Sequence, residues 1–124
     1  MTWFMVALGG ALGSVGRFGL GQLLARFDTF PYGTLLANVL GSVVIGLCAG
    51  LFDAEERHRP ARLFLITGFC GGFTTFSAFS LQTFELLEQQ AWLKAGGNIL
   101  LSLALCLLGT WLGFLLGQSL RKAA

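Results

Sequence analysis

Charge is scarce in this chain. Of its 124 residues, 11% are Asp, Glu, Lys or Arg, against about 25% in a typical soluble domain. The shortage is concentrated: residues 32–52, 63–84 and 95–120 contain no charge, and residues 3–25 contain only Arg17. Each stretch meets the roughly 20 apolar residues that cross a bilayer core as a helix. Too little chain lies outside them for a soluble enzyme domain, a nucleic-acid-binding domain or a sizeable extramembrane ligand site. The absence of particular charges says more. No Asp, Glu, Lys or His falls in the body of any stretch, and Glu85 and Glu88 stand only at the end of the third. Proton-coupled pumps and cation antiporters need a titratable group at depth. The one deep formal charge here is positive, which favours anions and passive conduction.

Cysteine is equally uninformative as chemistry. Cys48, Cys70 and Cys106 all fall inside apolar stretches, at spacings that suit neither a zinc site nor a disulfide framework. They read as buried small hydrophobes. Residues 3–25 lack a basic leading region and carry Arg17 beyond the usual signal-peptide core, so a retained span is expected there.

Glycine, by contrast, is abundant. Its 18 occurrences are about twice the average usage of ~7%, and in lipid glycines let helix backbones approach closely. The expected fold is an all-α integral membrane protein: one four-span membrane domain over 1–124, with spans near 3–25, 32–52, 63–87 and 95–120. Arg57, Arg59, Arg62, Arg121 and Lys122 flank one side, while Arg26 and Lys94 flank the other, with Arg17 near that end of its span. Lys/Arg bias sets orientation, and this bias is weak enough for insertion both ways round. Four helices enclose little space by themselves. A polar pathway therefore calls for a second copy, most commonly a C2 homodimer.

Polar residues inside a membrane are costly, so their positions carry information. Residues four apart share a helix face. In the second span that series reads Thr34, Asn38, Ser42, Gly46, Gly50; in the fourth it reads Asn98, Ser102, Cys106, Thr110, beside Gly109, Gly113 and Gly117. Arg17 projects from Gly9, Gly13 and Gly21 in the first. The glycine series reads as helix packing. For Asn38 and Asn98 two roles stand open, bridging a neighbouring helix or solvating an ion. For Arg17 the choice lies between snorkelling to the surface and drawing anions into a wet vestibule.

The third span contains Gly68-Phe-Cys-Gly-Gly-Phe-Thr-Thr-Phe-Ser-Ala-Phe-Ser80. Gly71-Gly72 can leave helical geometry at little steric cost, so a break in mid-membrane is expected there. Freed carbonyls at such depth need partners, and they suit a hard cation such as Na⁺. The hydroxyls that follow can cap a second half-helix. Phe76 and Phe79, three apart and flanked by Thr75, Ser80 and Thr83, share a face. Aromatic rings have positive edges that can meet a small anion; packing against lipid or core is the plainer alternative.

This run resembles the signature of the Fluc (CrcB-type) fluoride channels. Gly13-Ser-Val-Gly-Arg17 and Gly33-Thr-Leu-Leu-Ala-Asn38 with Gly41 extend the resemblance over essentially the whole chain; in the fourth span it rests on spacing. The resemblance implies an antiparallel, dual-topology homodimer in the bilayer of the cell (inner) membrane, with two fluoride pores and a central structural Na⁺. Backbone carbonyls of Gly71 and Thr74 from each subunit would hold the Na⁺. Phe76 and Phe79 would line the pores, with Asn38, Thr75, Ser80, Thr83 and Ser102 along the same path. Arg17 would attract anions at the vestibule. Asn98 stands where some members carry an aromatic hydroxyl. The implied partner is the fluoride ion, with no nucleic acid and no enzymatic reaction. Two other classes remain for comparison: a small dual-topology four-helix exporter, which would need an embedded carboxylate, and a non-transporting membrane assembly subunit.

Overall fold

In the computed structural model, which describes Met1–Ala124, the chain is entirely helical. Helix α1 spans Thr2–Leu24 and α2 spans Tyr32–Leu51. The third span divides into α3, residues 60–73, and α4, Phe76–Glu88. Helix α5 spans Trp92–Ala123. Four helical segments are long and apolar enough to cross a membrane, the third being the bent Pro60–Glu88. The protein is a multi-pass membrane protein.

The connections are built from ordinary capping chemistry. Pro31 stands immediately before α2, where its missing N–H costs no helical bond. After α2, Asp53 and Glu56 form a reciprocal capping box around the short turn Ala54–Glu56. Arg59 pairs with Glu56 at 2.7 Å, and Arg121 pairs with Asp53, tying the end of α5 to this connection. Pro60 opens α3 in the first helical turn.

Two glycine seams hold the bundle. Between α1 and α3, a Cβ at Gly9, Gly13 or Gly72 would strike the backbone of the opposite helix. Between α2 and α5, the same holds at Gly46 and Gly50 on one side and at Gly113 and Gly117 on the other. Close backbone approach replaces large side chains here, and most leucines of α5 are exposed. Only Ala37, Cys48, Cys70, Leu86 and Ala95 form the buried apolar set, as suits a bundle whose exterior is solvated by lipid.

The break lies later than the sequence suggests. Gly71 keeps helical angles (φ −61°, ψ −38°). The chain leaves the helix at Thr74 (φ −87°, ψ 157°) and Thr75 (φ −154°, ψ 120°). Packing explains the shift: Gly72 is pressed against the backbone of Gly10, so its freedom is spent on contact and not on bending. The β-branched threonines favour the extended angles instead. A second departure precedes it. Leu63–Cys70 winds as a π-helix, a form seen mostly as single turns and frequently at functional sites.

Candidate functional site

The break exposes backbone groups at membrane depth, and named side chains take them up. Asn38 on α2 accepts from the Thr75 N–H at 2.7 Å and donates from Nδ2 to the Thr75 carbonyl at 3.0 Å. Gly41, one turn along from Asn38's end of the helix, leaves room for the Thr74 methyl, which a Cβ would strike. Thr74 donates both its N–H (2.9 Å) and its hydroxyl (2.8 Å) to Cys70 O, closing α3. Thr75 Oγ1 accepts from the Ala78 N–H at 3.2 Å and so caps α4. The expected role of the hydroxyls after the glycines is met by this residue. Arg17 Nε donates to Gly72 O at 3.1 Å. A guanidinium there complements the negative C-terminal end of α3. Arg17 thus caps this half-helix through Nε.

The family resemblance assigns the carbonyls of Gly71 and Thr74 to a cation. The amide that would close a helical bond on Gly71, that of Thr75, goes to Asn38. The amide that would close on Thr74, that of Ala78, goes to Thr75 Oγ1. Both oxygens lose their helical donors, and Gly71 is exposed. Hard oxygen donors of this kind fit Na⁺ or another hard cation. No group of three or more His, Cys, Asp or Glu is placed to hold a metal ion.

A groove of about 330 Å³ runs beside the break, between α2, α4 and α5. Asn38, Thr74, Thr75, Phe76, Phe79 and Ser102 line it together with Ser42, Cys106 and apolar Ile45, Leu103 and Leu107. The Phe76 and Phe79 ring centroids lie 5.4 Å apart with planes inclined at 46°. Phe76 is 76% exposed. Ser102 Oγ is buried with no hydrogen-bond partner, an uncommon state for a hydroxyl. No charged side chain lines the groove.

Two path residues expected from sequence stand apart. Ser80 is exposed and does not line the groove. Thr83 is buried; its hydroxyl donates to Phe79 O at 2.7 Å and accepts from Asn98 Nδ2 at 2.9 Å. Three polar residues at the site were not singled out as site residues. Ser42 and Cys106 each lie one turn beyond an expected liner, Asn38 and Ser102, so the four-residue spacing held the signal. Ser77, whose Oγ sits 3.2 Å from Thr75 Oγ1, follows only from knowing where the cap is.

A profile of the family described as "CrcB-like protein, Camphor Resistance (CrcB)" matches residues 4–114, a range that includes the break and every groove residue. The chain belongs to the CrcB family. Among curated relatives, a protein of Opitutus terrae named "Fluoride-specific ion channel FluC" is 51% identical over 125 residues, covering 97% of this chain and 95% of the relative. A protein of the same name from Methylocella silvestris is 44% identical, with 98% and 97% covered. Another, from Coxiella burnetii, is 41% identical, with 97% and 100% covered. Within this CrcB-family chain, then, the broken span and its groove lie in the region that the family profile matches.

Proposed function

We propose that the protein is a fluoride-selective channel that lets fluoride leave the cytoplasm passively across the cell membrane. The observation that carries this reading is the groove, where Asn38, Phe76, Phe79 and the unpartnered Ser102 hydroxyl converge without a single carboxylate. The names borne by near-full-length relatives agree with it.

The chemistry follows from the donors. A small anion is strongly hydrated, so a pore must replace part of that shell. Ser102 has a hydroxyl to donate. Asn38 commits one Nδ2 proton to Thr75 and keeps the other. The edges of Phe76 and Phe79 supply weak positive potential without gripping the ion. Three residues beyond Phe79, Gln82 lines a second, more polar hollow of about 550 Å³ at the end of the bundle, shared with Glu85 and Lys94. In this reading the ion passes from hollow to groove along the face of α4.

The active unit is an antiparallel homodimer of dual topology with two pores. A break in the backbone beside an exposed Gly71 and an exposed Phe76 calls for a protein neighbour in lipid. Carbonyls of Gly71 and Thr74 from both copies would hold a Na⁺, which supplies fixed positive charge where the two breaks meet. Fluoride enters cells as its neutral acid and is trapped as the anion, so a passive leak suffices for a negative-inside membrane to expel it. No enzymatic step is needed.

Purified protein in liposomes loaded with potassium fluoride tests this reading. With valinomycin clearing the charge, a fluoride electrode is expected to record rapid efflux. Efflux no faster than from protein-free liposomes would reject the channel.

A further inference from the structure

Residues 75–83 carry both phenylalanines of the groove, and two amides hold this stretch at its ends. Asn38 grips the backbone of Thr75 at the start. At the far end Asn98, only 1% exposed on α5, donates to Thr83 Oγ1, and Thr83 donates on to Phe79 O. A hydroxyl has one proton. That of Thr83 is turned back onto its own helix, so Thr83 has none to give a passing anion. Helix α4 has few other restraints: it packs chiefly on α5 and meets α2 only lightly.

The geometry points to Asn98 and Thr83 as positioning residues, a buried amide–hydroxyl–carbonyl relay that fixes the rotation and depth of α4. Phe79 lies one turn before Thr83 and on the same face. A small rotation of α4 therefore carries the rings of Phe76 and Phe79 away from Ser102 and Asn38. A buried hydrogen-bond network favours one arrangement, and discrimination between anions of different size depends on that arrangement. The inference rests on the channel reading above, and within it replaces direct anion contact by Thr83 with control of the aromatic pair.

A double-mutant cycle on the fluoride-to-chloride flux ratio in liposomes tests it. Thr83→Val and Asn98→Leu each remove the relay at similar volume, and each is expected to lower the ratio by about tenfold, the scale of one buried hydrogen bond. The double variant is expected to fall no further than the worse single, because both changes break one bond. Thr83→Ser restores the hydroxyl and should recover most of what Thr83→Val loses. Losses that multiply in the double variant, or singles that keep the wild-type ratio, overturn the inference. Should Asn98→Leu elute as aggregate on gel filtration, Asn98→Ser, too short to reach Thr83 and still polar, takes its place in the cycle. Wild-type protein that passes no fluoride would overturn the channel reading itself, so the two failures are distinct.

Discussion

Asn38 holds Thr75 by both of its backbone groups, accepting its N–H at 2.7 Å and donating to its carbonyl at 3.0 Å. One side-chain amide thus takes up the N–H that the break frees and adds a second bond at the carbonyl that opens α4. A carboxamide carries its donor and its acceptor on separate atoms and can therefore bridge both backbone groups of one residue, which gives the polar stripe of α2 a structural purpose beside any conductive one.

Asn38→Ala leaves the Thr75 N–H unpaired at membrane depth. A buried unsatisfied group costs about 1–3 kcal/mol, so the variant is expected to lose about that much stability in detergent, along with most fluoride flux. Chemical denaturation followed by tryptophan fluorescence checks the first and liposome efflux the second. An unchanged unfolding midpoint would mean that Thr75 does not depend on this clamp.

Arg17→Ala removes the cap on Gly72. If the guanidinium serves the fold, flux lost in this variant will not return at high fluoride concentration, and stability will fall with it. If Arg17 only concentrates anions, saturating fluoride will restore the flux and the unfolding midpoint will hold. The cap at 3.1 Å predicts the first pattern. Arg17→Lys, which lacks the fork of N–H donors, is expected to recover it only in part.

Glycine positions should separate into two classes. A Cβ at Gly46 strikes the Thr110 backbone, while at Gly71 it meets nothing within 4 Å of its own chain. Gly46→Ala is expected to destabilise the fold by about 1–3 kcal/mol, the ordinary cost of overpacking. Gly71→Ala should leave the protomer's helicity intact by circular dichroism yet weaken dimer formation, measured by dissociation on dilution in detergent. Equal behaviour of the two variants would remove the case for Gly71 at a subunit interface.

Phe76→Ile and Phe79→Ile keep apolar volume but remove the ring edge. Each is expected to cut fluoride efflux by at least about tenfold, comparable to losing one good donor from a desolvated ion, with the gel-filtration position unchanged. Wild-type rates in both would return these rings to a packing role.

Much of this was legible in the chain itself, for a physical reason. Four apolar stretches with almost no charge admit few structures other than spanning helices, and α1, α2 and α5 follow them closely, with α5 running beyond its uncharged stretch to Ala123. Of the groove residues, Asn38 and Ser102 stand out by their four-residue polar spacing, whereas Phe76 and Phe79 read as packing residues on spacing alone and join the path only through the family resemblance. The break position was not legible. Gly71 and Gly72 carry the conformational freedom, but contact with Gly10 decides how Gly72 uses it, and that contact belongs to the tertiary fold. The π-helical winding of Leu63–Cys70 has no propensity signal either. Thr83 shows the limit most clearly: its spacing puts it on the path face, while the direction of its one proton depends on Asn98, 15 positions later.

The central claim, selective passive fluoride conduction, is tested most directly by the reversal potential in a planar bilayer with fluoride on one side and chloride on the other. The account predicts a potential displaced strongly toward the fluoride equilibrium, unaffected by a pH gradient. A potential near zero, with fluoride and chloride carried alike, or the absence of any current from protein whose liposomes are shown to contain folded dimer, would contradict it.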